Sequence, residues 1–158
     1  MELVIFKVAE KEYGADLKQV RQVIRMREVT QIPDAAKSVE GVISLRGRVV
    51  PLVSLRKKMG AEEKEISRWS RIIVTETDSA PVGVVVDTVL GVVTLEPGSI
   101  TPPDEVLKDA GYLTGVARLD KRLILVIDIE KLLSLEDKDG IRKVHSRVEV
   151  KKKDRGRG

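Results

Sequence analysis

The sequence predicts an all-β protein made of two related small units in tandem, and three observations carry that expectation. Val and Ile come in short runs broken by Gly, Pro, Asp and charged residues, which is the pattern of a β-rich domain. One stretch, Val42 to Val53, reads as a complete hairpin. The segment Gly41–Lys57 also lies over Gly115–Lys131 without a gap, with Gly, Val, Leu, Arg and Lys recurring in register. Each half spans about seventy residues, and units this short form small barrels that share a core or a groove.

Taken in order, Leu3–Ala9 alternates as a strand, with Val4, Phe6 and Val8 on one face. A weaker match places Gly14–Val20, Val23 and Ile24 over Gly83–Val89, Val92 and Val93, extending the repeat upstream. In the hairpin, Val42–Leu45 and Arg48–Val53 flank Arg46-Gly47, where Gly47 supplies a positive φ. Pro51 offers no N–H to a ladder, which assigns its strand to a sheet edge or a bulge. Ser54 then precedes the helical run Leu55–Met59, closed by Gly60. In the second repeat Asp128 precedes Ile129–Leu133 in the same way. Both are strong N-cap types, so capping explains them better than general-base chemistry. Further strands are expected at Arg71–Thr77, Pro81–Asp87, Gly91–Leu95 and Leu123–Ile127.

Composition narrows the function classes. At 158 residues and 17.5 kDa, with 42% apolar and 34% charged residues, the chain is one domain's worth and not a low-hydrophobicity disordered protein. No apolar run approaches a spanning helix and Met1-Glu2-Leu3-Val4 lacks a leader's basic and apolar blocks, so a cytoplasmic location is expected. The absence of Cys and the single His145 exclude disulfides, thiolate nucleophiles and clustered zinc ligands, so no metal or cofactor is expected. A net charge of +4 and a pI near 9.3 invite a nucleic-acid reading. Divided by segment, residues 142–158 carry eight Lys/Arg against Glu149 and Asp154, a net of +6, while residues 1–141 carry 21 basic against 23 acidic, a net of −2. The organisation expected is therefore a mildly acidic body, 1–141, and a solvated basic tail, 142–158. The tail serves solubility or contacts an anionic partner. The widely spaced Phe6, Tyr13, Trp69 and Tyr112 build no stacking platform for a single strand.

A search for chemistry finds no phosphate loop, dinucleotide fingerprint or nucleophile elbow. Asp87, after three valines, is the best candidate for a perturbed carboxylate, raised by burial, but it has no local His, Ser or second carboxylate to work with. A strand-end Asp is the plainer reading, and His145 falls in the tail. Arg46 stands out, because an Arg beside a rigid turn can project its planar donor fork at a partner. The alternative is an ordinary exposed turn charge. Val20, Val23, Ile24, Val92 and Val93 form a shared core or line a groove between the units, with core favoured for most.

The stretch Gly41-Val42-Ile43-Ser44-Leu45-Arg46-Gly47-Arg48-Val49-Val50-Pro51-Leu52-Val53-Ser54-Leu55-Arg56 resembles the signature of the CheW family, the adaptors of bacterial chemotaxis. Further likeness lies in Glu12-Tyr13-Gly14, Val23-Ile24-Arg25, Gly83–Asp87 with Val89, Tyr112–Gly115 and Leu123–Leu133, nearly the whole body. Ser44 stands where the family usually has Asn, and Ser54 where it usually has Asp. The resemblance implies two five-stranded SH3-like β-barrels around a common apolar core and no catalytic activity. It implies an adaptor that binds the helical cytoplasmic tip of chemoreceptors and the CheW-like regulatory domain of the histidine kinase CheA, meeting the membrane only through receptors. By motif position, Arg46 and the groove-side Val20, Gly41 and Val92 would face receptor or kinase, with Gln22 and Gly47 near them. With no kinase module and no receiver domain in the sequence, a free-standing adaptor is expected. The competing reading is a small nucleic-acid-binding β-barrel protein that uses the basic tail; no nucleic-acid partner is expected on the adaptor reading. An enzyme with Asp87 or Asp128 as base has no supporting constellation.

Overall fold

The computed structural model describes residues 1–33, 39–62, 64–77, 80–103 and 111–133; the basic tail and His145 lie outside the described residues. Among the described residues eleven strands form two sheets: β1 (Glu2–Val8), β2 (Lys11–Asp16), β3 (Gln22–Arg25), β4 (Val39–Leu45), β5 (Arg48–Ser54), β6 (Arg71–Glu76), β7 (Pro81–Val86), β8 (Thr88–Thr94), β9 (Ile100–Thr101), β10 (Leu113–Leu119) and β11 (Arg122–Ile127). One sheet has the order β3-β6-β7-β5-β4 and the other β8-β1-β2-β11-β10-β9. Single-turn helices α1 (Leu55–Lys58) and α2 (Ile129–Leu132) follow β5 and β11.

Each sheet rolls onto its own core. In the five-stranded sheet, Ile24 of edge strand β3 packs against the same cluster as Ile43 and Leu45 of the opposite edge, together with Val50, Leu52, Ile72 and Val74. In the six-stranded sheet, Val93 of β8 and Ile100 of β9, again from opposite edges, meet Leu3, Ile5, Ala117, Ile124 and Val126. Two edges converging on one cluster make a barrel. A third core joins the barrels: Phe6, Val8, Tyr13 and Ala15 from one sheet meet Ile73, Val84 and Val86 from the other, with Leu55, Ile129 and Leu132 of the two helices closing it. The period-2 alternation of β1 and β6 produces this. In β6, Ile72 and Val74 point into their own barrel and Ile73 points across; in β1, Leu3 and Ile5 point inward and Phe6 and Val8 cross over. Each such fully buried side chain contributes about 1.5–3 kcal/mol, and Phe6 stacks on Tyr13 at 5.8 Å.

Two β units exist, as expected, but their boundary is not the boundary of the repeat. In sequence the repeat runs β1 to α1 and then β6 to α2. In space, the first hairpin of each repeat joins the barrel of the other: β1–β2 pairs with β8 and β11, and β6–β7 pairs with β3 and β5. The parallel pairs mark the exchange, with Leu52 opposite Gly83 and Val126 opposite Gly14, so the weak match of Gly14 with Gly83 is a true structural equivalence. The second barrel has a sixth, two-residue strand, β9, whose counterpart in the first is the lone bridge Thr30–Val42.

Pro51 departs from expectation. Its strand β5 is interior, between β7 and β4. Opposite Pro51, Val42 spends its N–H and C=O on Thr30 at 2.8 and 2.9 Å, so this is a pair that exchanges no ladder bonds. The proline's other side faces β7, where pairing begins only at Leu52, and no donor is called for. In the second barrel the equivalent position is Leu125, which does pair, with Tyr13.

Candidate functional site

The β4–β5 turn is a two-residue loop closed by the pair Leu45–Arg48. Arg46 and Gly47 both have positive φ, 51° and 79°, as a tight hairpin following the right-handed twist of its strands requires. A left-handed conformation costs a non-glycine residue about 1–2 kcal/mol. Arg46 is exposed and, among the described residues, makes no ion pair or hydrogen bond with its guanidinium. Beside it, Glu76 bridges Arg21 at 3.3 Å and Arg48 at 3.9 Å. These are solvent-screened pairs that add little stability, but they gather the start of β3, the end of β6 and the start of β5 at one end of the first barrel. Gln22, next to Arg21 and opposite Val74, belongs to this end.

The other expected contact residues are dispersed. Val20 ends a 3-10 turn, Leu17–Gln19, and is half-buried against the core between the barrels. Val92 is 53% exposed on edge strand β8 of the other barrel, equivalent to Val23 on β3. Gly41 is buried, so it offers no contact surface. With φ at 152°, any Cβ there would stand 2.6 Å from the carbonyl oxygen of Thr30, and the position is fixed by packing. The structure thus places Arg46 and Gly47 on the β4–β5 tip, Gln22 half-buried at the start of β3 on the face of Ile24, Val20 at the seam and Val92 on a separate face, and it buries Gly41.

The carboxylates weighed as bases are structural. Ser54 Oγ and Asp128 Oδ1 accept from the N–H groups of Lys57 and Lys131 at 3.4 and 3.1 Å, each capping its helix. Asp128 also accepts from Gln19 Nε2 at 3.0 Å, while Gln19 Oε1 takes the Ile129 N–H at 3.1 Å. Asp87, expected to be raised by burial, is instead lowered. Burial does push it up, but the Arg56 fork, at 2.8 and 2.7 Å, and the Ala9 N–H, at 2.9 Å, outweigh that push. Asp128 is lowered on the same balance: burial raises it, and Gln19 with the helix N–H groups overcomes that. The Arg56–Asp87 pair escaped sequence reading because 31 residues separate its members; the Arg of the signature's last position was its one available signal. Arg122 holds Glu12 through three hydrogen bonds, which lower that carboxyl. Among the described residues no group of three His, Asp or Glu could hold a metal ion, and no helix is long and apolar enough to cross a membrane.

Two barrels locked by polar clamps, with the unspent polar groups on outward tips and edges, define a binding module. The chain belongs to the CheW family: the model of the CheW-like domain matches residues 2–137. It is 35% identical to a chemotaxis protein CheW of Klebsiella aerogenes over 91% of this chain and 90% of that one. With a chemotaxis protein CheW of Thermotoga maritima it shares 33% identity over 89% and 93%. The crystal structure of the scaffolding protein TtCheW from Thermoanaerobacter tengcongensis matches with a TM-score of 0.78 at 33% identity, covering 86% of this chain and 94% of that one. Membership carries an adaptor or scaffold role in chemotaxis, on a fold of two SH3-like barrels.

Proposed function

We propose that this protein is a non-catalytic, cytoplasmic adaptor that couples chemoreceptors to the histidine kinase CheA, and that the Arg46–Gly47 tip with Gln22 beside it is a contact surface for receptor or kinase. The body, 1–141, does the coupling; the tail, 142–158, is an appendage to it. One observation carries the site: the Arg46 guanidinium, without a partner among the described residues, is exposed on a tight turn whose left-handed backbone an arginine adopts only at a cost. A five-donor planar fork so placed suits carboxylates or carbonyl groups on a partner. Val20 at the seam and the exposed Val92 are secondary contacts on this reading.

The test is reconstitution with a CheA-type kinase and a receptor fragment, reading kinase activation. Wild type activates. Arg46→Asp keeps the fold, since nothing in the structure leans on the side chain, and weakens assembly about tenfold or more. A charge-reversed variant that assembles like wild type removes Arg46 from the contact; failure of the wild type to activate removes the coupling role.

A further inference from the structure

The loop leading into β6 carries features that the adaptor reading leaves unused. Trp69, the single tryptophan of the chain, is 56% exposed, and Ile66 is 59% exposed. The indole is not loosely placed. Residues 67–70 close on themselves: Ser67 N–H donates to Ser70 Oγ at 3.0 Å, Trp69 N–H to Ser67 Oγ at 3.1 Å, and Ser70 N–H to the Ser67 carbonyl at 3.1 Å. Ser70 is buried and anchors the turn. Trp69 is therefore presented to water by a turn satisfied within itself, and its hydrophobic free energy is left unrealised in the free protein.

Three arginines surround it. The Arg68 guanidinium lies 4.9 Å from the Trp69 ring centroid. Arg25 and Arg71 stand directly opposite each other across the β3–β6 pair, and like charges so placed destabilise a sheet. Among the described residues none of the three has an ion pair; Arg71 donates from Nη1 to the carbonyl groups of Arg68 and Ser70, at 2.8 and 2.9 Å. The shallow depression they line with Met26 holds no carboxylate.

The geometry points to a docking site for an acidic, amphipathic segment of a protein partner, with its carboxylates on Arg25, Arg68 and Arg71 and an apolar side chain against Trp69 and Met26. Guanidinium forks match carboxylates, and exposed Trp and Arg are the residues that carry interface energy. A nucleic acid fits less well, because one isolated indole gives no run of stacking positions. Arg25 closes the end of β3 opposite to Gln22, so this surface is separate from the Arg46 tip and stands whether or not the coupling role does.

Because Trp69 is the only tryptophan, its fluorescence in the full chain reads the site directly. The probes are a short helical peptide with Glu on one face and Leu on the other, its Lys-for-Glu counterpart, and an oligothymidine. The expected result is a saturable blue shift with the Glu/Leu peptide alone, weakened about tenfold by Arg25→Glu and by Arg68→Glu. Arg25→Glu also relieves its opposition to Arg71, so the free variant melts at or above the wild-type temperature, which separates lost binding from lost folding. Absence of the shift, equal affinity in the charge-reversed variants, or a response to oligothymidine in place of the peptide overturns the proposal.

Discussion

The hairpins β4–β5 and β10–β11 are the same object built twice. An offset of 74 residues carries every pair of one onto the other, from Val39–Val53 and Leu113–Ile127 to Leu45–Arg48 and Leu119–Arg122, including a bulge before Gly41 and before Gly115. Each glycine backs onto the neighbouring element, Gly41 onto Thr30 and Gly115 onto Ile100 and Thr101. Each hairpin ends in a capped single-turn helix. Their tips differ. The first turns through Arg46-Gly47 and, among the described residues, leaves the Arg46 guanidinium without a partner, whereas the second has Asp120 in place of that arginine; the arginine after each turn is paired in both, Arg48 with Glu76 and Arg122 with Glu12. The backbone rests on a few glycines, caps and apolar positions common to both hairpins, and the solvent-facing positions are left to set what each barrel can bind.

The largest test of this equivalence is the paired glycine. Gly41→Ala combines a positive φ with a clash against a backbone carbonyl and is expected to cost about 3 kcal/mol in urea unfolding. Gly115→Ala has no positive φ to strain, but it meets Cγ2 of the stiff, β-branched Ile100 and the Thr101 carbonyl oxygen at 3.1 Å, and is expected to cost about 2 kcal/mol. An equal or reversed order would mean that the two bulges are held differently.

The next effect separates the two clamps. Asp87→Asn takes the charge from the Arg56 pair and is expected to cost about 2 kcal/mol at neutral pH. The sign with pH follows from the lowered carboxyl. The stability contributed by Asp87 and Asp128 is fully present above the ordinary aspartate value of 3.8 and is lost as pH falls through their lower folded-state values, because the unfolded chain binds those protons first. Acid unfolding should therefore be shallower in Asp87→Asn than in wild type. Smallest is the pair of caps. Asp128→Ala, which also releases Gln19, is expected to cost about 1.5 kcal/mol, against about 0.5 kcal/mol for Ser54→Ala, whose bond is long at 3.4 Å. Thermal melts of the two variants side by side decide this, and equal losses would show that the Gln19 contact adds nothing.

Local order in the sequence accounts for much of the fold. The hairpin, its turn, the two caps and the strands around Arg71, Pro81 and Leu123 follow from alternation and turn chemistry, which act between near neighbours. β2 was not legible, because Lys11-Glu12-Tyr13-Gly14-Ala15-Asp16 has too few β-formers to read as a strand and is held by the partners on either side of it. β3 and β9, at four and two residues, are too short for a period to show. Pro51 sits in an interior strand because its missing donor falls where neither neighbouring ladder calls for one, a placement set by where pairing with β7 begins. Of the candidate contact residues, Arg46 and Gly47 share the exposed β4–β5 tip, while Gly41, whose place in the signature implies a groove, is buried against a carbonyl that follows no sequence pattern.

By itself the sequence determined two β units, their repeat, the tip that carries Arg46 and the family, since each is written in local order or in the match of one half to the other. The exchange of β1–β2 and β6–β7 between barrels, the clamp of Arg56 on Asp87 and the opposition of Arg25 to Arg71 were decided only in the tertiary structure. Period-2 alternation says which side of a strand is apolar and is silent about which sheet it will enter. That choice is made by the core shared between the barrels, where Phe6, Tyr13, Ile73 and Val84 from the two sheets are buried together.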